Sequence, residues 1–249
     1  MDIKYGIDLS KHNGVVNLEQ AKASGVSFVI LRAGYGKDIK QKDPYFELNY
    51  RQAKRLGLNV GAYWYCYAET ATGAREEAKA CLEAISGKTF DLPIYYDVEE
   101  KRVIEHDPST LEGIINEFCN YLENRYYFVG LYMSKSYLEH KIPMRTLTKY
   151  AVWVAQWPKG DNKPKLTYTL TRPGMWQYSS NGSVPGISGR VDLDQMLIDY
   201  PTIIKSAKLN GYNDIFNLSE MEQAIQNEED LKILYKCRDD LYKLRERYM

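Results

Sequence analysis

Histidine is nearly absent: His12, His106 and His140 are the three in 249 residues. Their spacing is not that of zinc ligands, which argues against a histidine-built metal centre, and His12 has no nucleophile motif to form a triad with. An excess of charge of either sign is missing too. Lys+Arg and Asp+Glu both total 33, a formal net charge of zero, so no global field draws nucleic acid or an anionic membrane. No stretch approaches the roughly 20 apolar residues of a bilayer span, and no membrane insertion is expected. The opening MDIKYGIDLSKHNG lacks a basic segment followed by an apolar run, so no secretory leader is read there. Cys66, Cys81, Cys119 and Cys237 are scattered without a CxxC pair. They read as reduced thiols, mostly core fillers, and synthesis in the cytoplasm is expected. Gly34-Tyr35-Gly36-Lys37 lacks the spacing of a phosphate loop. No metal and no cofactor is expected.

Tyrosine is what the chain has in quantity: 22, beside 4 Trp and only 6 Phe. Tyr and Trp join an apolar ring to a polar handle, which suits a wet core or a surface that meets polar ligands with flat apolar faces, as sugars have. Hydrophobic residues make up 44%, enough for a large core and against disorder of the whole chain.

Eight short apolar runs punctuate the chain: 4–10, 27–34, 58–66, 92–99, 128–134, 151–157, 174–180 and a short one at 190–193. Rich in Val, Ile, Tyr and Trp, they read as strands, and their near-continuous apolarity suits burial on both faces. Between them lie helical signals. Asp43-Pro44 opens a segment that Gly57 ends, an N-terminal acid and proline answered by a terminating glycine. Residues 72–86 and 108–124 read alike. Strand–helix alternation predicts a parallel α/β barrel. It degrades after residue 130, so the expectation is an irregular TIM-like (β/α) barrel with a reduced helix count over 1–207, followed by a linker and helical tail over 208–249. In the tail, Ser219 and Glu222 match a capping box. Leu234, Cys237, Leu241, Leu244 and Tyr248 form a short heptad seam. It predicts either a helix packed back on the barrel or one that self-associates or binds a partner through 219–248.

Carboxylates fall at the ends of the predicted strands: Asp8, Asp97, Glu99 and Asp192. In an α/β barrel such ends converge on one mouth, where an unpaired buried acid is too costly to be mere packing. Asp97 and Glu99 share a strand face by the period of two. Two carboxyls on one face raise each other's proton affinity, so one can stay protonated as a general acid. A solvated acid pair is the competing reading, since Glu100, Lys101 and Arg102 follow. Arg32, at the end of the second run, either meets the site or its substrate or makes a structural salt bridge.

Seven segments occur in order: GIDLSKHNG (6–14), FVILRAGYG (28–36), GAYWYCY (61–67), YYDVEE (95–100), WVAQW (153–157), MWQYSS (175–180) and VDLDQ (191–195). Together, over roughly residues 2–205, they resemble the glycoside hydrolase family 25 lysozymes, the Chalaropsis-type muramidases. The resemblance implies an irregular TIM-like barrel and cleavage of the β-1,4 bond between N-acetylmuramic acid and N-acetylglucosamine in bacterial peptidoglycan. It makes Glu99 the proton donor, Asp97 its neighbouring acid, and Asp8 and Asp192 the acids of the first and last motifs. Tyr63, Trp64 and Tyr65 fall in the motif that lines the cleft; Tyr132, Trp153, Gln156, Trp176 and Gln177 fall in motifs near the site. The reaction course stays open. Asp97 orients the substrate's 2-acetamido group for attack, or Asp97 or Asp192 activates water with inversion. One departure stands out: Asp194 occupies a position where the family often has Asn, adding negative charge near Asp192 and bearing on the pH optimum. A muramidase of the endolysin or autolysin kind is the expected function, with phage-lysin release as its expected route to the wall. A catalytically idle barrel that binds wall glycan is the alternative.

Overall fold

The structure, a computed structural model, describes residues 3–158 and 165–212. The eight apolar runs are its eight strands: β1 (Lys4–Leu9), β2 (Phe28–Tyr35), β3 (Asn59–Tyr65), β4 (Ile94–Asp97), β5 (Val129–Ser134), β6 (Ala151–Ala155), β7 (Met175–Gly182) and β8 (Val191–Met196). They close into a barrel in chain order. β1 to β7 run parallel, and β8 lies antiparallel between β7 and β1. That reversal follows from the short β7–β8 connection, which leaves no room for a crossover helix.

The three helices read from sequence are present as α2 (Phe46–Arg55), α3 (Ala71–Ile85) and α5 (Pro108–Glu123). Asp107 caps α5 by accepting from the Ser109 and Thr110 amides, with Pro108 where no amide is needed. Asp43 does not cap α2 in this way. Its carboxylate instead takes the amides of Lys11 and Tyr45 and the Arg32 guanidinium. Among the described residues there are five shorter α-helices: α1 (Leu18–Ala23), α4 (Lys101–Ile104), α6 (Lys135–Lys141), α7 (Met144–Lys149) and α8 (Tyr200–Ser206). Each spans two turns or fewer, too short for a helical period to be legible. The thinning of helices expected after residue 130 begins later: α6 and α7 lie between β5 and β6, and past β6 none occurs among the described residues until α8.

Two apolar layers result from the strand alternation. Outward residues such as Leu31, Ala62, Trp64, Tyr96, Val98 and Val154 join α3 and α5 in the main core, where Tyr96 stacks on Phe118 at 3.8 Å. Inward residues fill the barrel. Trp153 meets Tyr63, Tyr95 and Tyr132 with ring centroids 6.0, 5.1 and 4.4 Å away. Glycine makes this crowding feasible: a Cβ on Gly130 would lie 2.4 Å from the Tyr95 ring, well inside van der Waals contact.

Cys66, Cys81 and Cys119 are buried and free. Asn210, in the segment read as the start of a linker, is buried; its side chain takes the Phe128 amide and donates to the Leu92 carbonyl. The capping box at 219–222 and the heptad seam with Cys237 lie outside the described residues. Among the described residues no helix is long and apolar enough to cross a membrane.

Candidate active site

The C-terminal ends of β1 to β7 open at one end of the barrel. β8 runs the other way, so its beginning reaches that same mouth, and Asp192 stands in register beside Asp8. Asp97, the last residue of β4, pairs with Tyr65 on one side and Tyr132 on the other. The Val98 amide bonds the Tyr132 carbonyl, so the chain stays extended past the strand. Val98 turns into the outer core, and Asp97 and Glu99 are left on the inner side. The sequence-predicted acids Asp8, Asp97, Glu99 and Asp192 therefore meet. They differ in depth: Asp97 is 4% exposed and Asp8 5%, Asp192 is half-buried, and Glu99 stands out at the rim.

Electrostatics follow from that depth. Burial raises the Asp97 carboxyl well above the usual carboxylate range; Glu99 and Asp8 push it further, and Arg32 opposes them. Burial likewise raises Asp8, with Asp192 adding to the effect and Gln177 working against it. Glu99 is raised by partial burial first, then by Asp192 and Glu100, and Asp192 by burial, against hydrogen bonding from Asp8 and the charge of Arg190. Carboxyls arranged so titrate as a group and retain protons that isolated acids would lose, which is the requirement for a general acid near neutral pH.

Gln177 ties the mouth together. Its Oε1 accepts from the Tyr132 hydroxyl at 2.9 Å and the Trp157 indole at 3.0 Å, and its Nε2 donates to Asp8 at 2.8 Å. Trp157 is 53% exposed. Tyr35, Tyr65 and Tyr67 form a separate aromatic strip, with Tyr67 centred 5.8 Å from Tyr35 and 5.0 Å from Tyr65. Exposed aromatic faces beside carboxyls are the surfaces a sugar ring packs on.

Several sequence-predicted contact residues are placed elsewhere. Trp64 is fully buried on the outer side of β3, its indole donating to the Gly36 carbonyl. Trp176 faces the outer core, its indole held by the Gln156 carbonyl at 2.8 Å. Gln156 commits its amide to Lys165 and Thr167. None of these three presents its polar group to the mouth. Arg32 is buried in a 2.8 Å ion pair with Asp43, the structural salt bridge that is one of the readings the sequence allows for it. Tyr63, Tyr132 and Trp153 lie inside the barrel, almost wholly buried, as the floor of the site. Tyr35, Tyr67 and Trp157 were missed. The signal for the last two was the period of two: Tyr63, Tyr65 and Tyr67 alternate with Trp64, and Trp153 and Trp157 alternate with Gln156.

Behind this wall lies a buried acid that sequence reasoning did not single out. Glu77 on α3 takes the Tyr67 amide at 2.9 Å and the Tyr96 hydroxyl at 2.7 Å, and the Cys66 thiol donates to that hydroxyl. Burial pushes its carboxyl from the ordinary 4.5 to about 7 against these hydrogen bonds. A carboxyl raised in the folded state favours folding at low pH, and that advantage is lost between the unfolded and folded values. The loss spans pH 4.5 to 7 and amounts to about 3 kcal/mol. Urea unfolding at pH 5 and pH 8 is expected to show this loss in the wild type and not in Glu77→Gln; equal pH dependence in both would refute it.

Comparison with known proteins agrees with this architecture. The family model described as "Glycosyl hydrolases family 25" matches residues 7–187. An autolytic lysozyme of Clostridium acetobutylicum is 29% identical over 234 residues, covering 93% of this chain and 65% of its own length; this chain thus spans about two thirds of that relative. The modular autolysin LytC from Streptococcus pneumoniae, solved in complex with a synthetic peptidoglycan ligand, is 30% identical with a TM-score of 0.66, over 78% of this chain and 46% of that one. The bacterial lysozyme from Streptomyces coelicolor shares the fold, with a TM-score of 0.70 at 24% identity over 84% of this chain and 98% of that one. The matched stretch begins at the first strand and takes in Asp8, Asp97 and Glu99, and the chain belongs to glycosyl hydrolases family 25.

Proposed function

We propose that this chain is an N-acetylmuramidase that hydrolyses the β-1,4 bond between N-acetylmuramic acid and N-acetylglucosamine in bacterial peptidoglycan, with Glu99 as general acid. The observation that carries the reading is the pairing of Glu99 at the rim with Asp97 below it, whose Oδ1 is buried without a hydrogen-bond donor. Such an atom costs free energy unless something supplies a donor. The N–H of a 2-acetamido group is a donor of the right chemistry. In this reading Glu99 protonates the glycosidic oxygen as the bond breaks, and Asp97 holds the acetamido group so that its carbonyl oxygen attacks the anomeric carbon. Water then attacks the anomeric carbon and opens the oxazolinium ring so formed, giving its proton back to Glu99. The course retains configuration, as substrate assistance requires; water activated by Asp97 or Asp192 would invert it. The lysozyme and autolysin names of the relatives support a wall substrate. Action at the cell wall follows from the same reading. Residues 219–248 are given a separate role in targeting or self-association, while Asn210 belongs to the barrel.

Peptidoglycan digested with the protein, reduced with borohydride and analysed by mass spectrometry is expected to give reduced muramic acid ends. Nuclear magnetic resonance of the first-formed anomer is expected to show the β form. Wall binding with no new reducing ends would favour the idle-barrel alternative.

A further inference from the structure

Asp194 is a buried carboxyl of the barrel interior that the reaction above does not use. It lies on β8 two residues beyond Asp192 and in register with Gly6 of β1 and Gln177 of β7. It is wholly buried. Its Oδ1 accepts the Trp153 indole N–H at 2.9 Å, while its Oδ2 is buried with no donor aimed at it. Asp8 sits on the neighbouring strand opposite Asp192, and hydrogen bonding between the Asp8 and Asp194 side chains raises the Asp194 carboxyl and lowers that of Asp8. Two carboxylates are both acceptors, and such a contact closes only when one proton lies between them.

We propose that Asp194 is a neutral positioning residue that carries a proton and donates it to Asp8, so that Trp153, Asp194, Asp8 and Gln177 form one ordered hydrogen-bond chain beneath the reacting acids. In this chain the indole donates to Asp194, Asp194 donates to Asp8, and the Gln177 amide donates to Asp8 from the other side. Asp8 is thereby fixed by two donors. This inference rests on the muramidase reading for its kinetic readout but not for its spectroscopic one.

The surroundings favour the neutral form. Asp194 is acted on by Asp8 from β1, by Asp192 on its own strand and by Trp153 from β6. Tyr95 of β4 and Tyr178 of β7 feel its charge in turn. None of these is a cation. Burial, then Asp8, raises its carboxyl well above the usual range.

Asp194→Asn and Asp194→Ala separate a proton donor from mere space filling. Asn keeps the acceptor for Trp153 and offers an N–H to Asp8 that cannot titrate. Its alkaline limb of kcat/KM, which Glu99 sets, is expected to stay within about 0.3 pH unit of wild type, because Asn and a neutral Asp carry the same charge. Ala leaves both neighbours without a partner and is expected to fall at least about tenfold below Asn. An Asn alkaline limb moved down by about half a pH unit or more, as removal of a negative charge would cause, or Asn and Ala equally impaired, would overturn the proposal. Infrared difference spectra of the folded proteins at neutral pH decide it without any activity. A protonated-carboxyl band present in wild type and missing from Asp194→Asn is expected; no such difference would overturn it. Inactivity on every wall with that band present would sink the muramidase reading alone.

Discussion

Glu99→Gln is expected to lower kcat on peptidoglycan by roughly a hundredfold or more while leaving the fold and wall binding intact. The leaving oxygen of a glycoside is a poor leaving group unless protonated, and Gln has the shape of Glu without a transferable proton. Glu99 stands out at the rim, so its replacement disturbs no core contact, and a surface change of this kind shifts stability by only about 0.5 kcal/mol. Its position also sets the pH dependence. Partial burial, Asp192 and Glu100 hold the Glu99 proton above the ordinary carboxylate range, so the active acid form persists to higher pH than a free glutamate allows. Activity then falls as pH rises through that value. Initial rates of wall digestion, with far-ultraviolet circular dichroism and wall pull-down on the same samples, test the claim. Loss of less than about fivefold would take Glu99 out of the general-acid role, because general acid catalysis contributes about 10²-fold at least.

Much of this site is legible in the amino-acid sequence. Strand position is set by short apolar runs bounded by Gly, Pro and Asp, and such runs are local. The convergence of Asp8, Asp97 and Glu99 follows once the strands are taken as parallel neighbours in a barrel. Asp192 joins them for a reason not visible in the sequence: β8 runs backward, so the start of that strand, not its end, reaches the mouth. The aromatic contacts are legible only in part. Motif membership treats Tyr63, Trp64 and Tyr65 alike, whereas the pleat sends the middle one to the opposite side. Trp64 and Trp176 are large, and large side chains in a two-layer barrel are as useful against the helices as within the mouth. Gly6 and Gly130 carry the complementary information. Each sits where the ring of a neighbouring strand, Phe28 or Tyr95, needs the space, a pairing that depends on register and so on the closed barrel. Glu77 is hidden for the same reason. Its sequence setting, GAREEAK, reads as an exposed helix face, and only the docking of α3 turns one of its two adjacent glutamates inward.

Arg32→Met is expected to cost about 3–5 kcal/mol of stability, because it leaves one member of a buried ion pair alone. Arg32 meets Asp43 through two nitrogens, Nε at 2.8 Å and a terminal nitrogen at 2.8 Å. The Asp43 side chain is 1% exposed, so water cannot replace the guanidinium. Asp43 also takes the Lys11 and Tyr45 amides at 2.8 and 3.0 Å. The pair therefore binds the turn after β1 and the start of α2 to β2, and its loss loosens the rim next to Asp8. A second effect reaches the acids directly: the Arg32 charge holds down the proton affinity of Asp97, so its removal leaves the cluster more protonated at a given pH. Asp43→Asn in the Arg32→Met background removes the stranded charge while keeping an acceptor for one of the two amides, which bond different carboxylate oxygens, and is expected to recover part of the stability. Urea unfolding of the two single variants and the double variant gives the coupling. An Arg32→Met protein with wild-type stability and a raised KM would instead make Arg32 a substrate contact, acting through the terminal nitrogen that meets Asp43 as an ion pair but has no hydrogen-bond partner among the described residues.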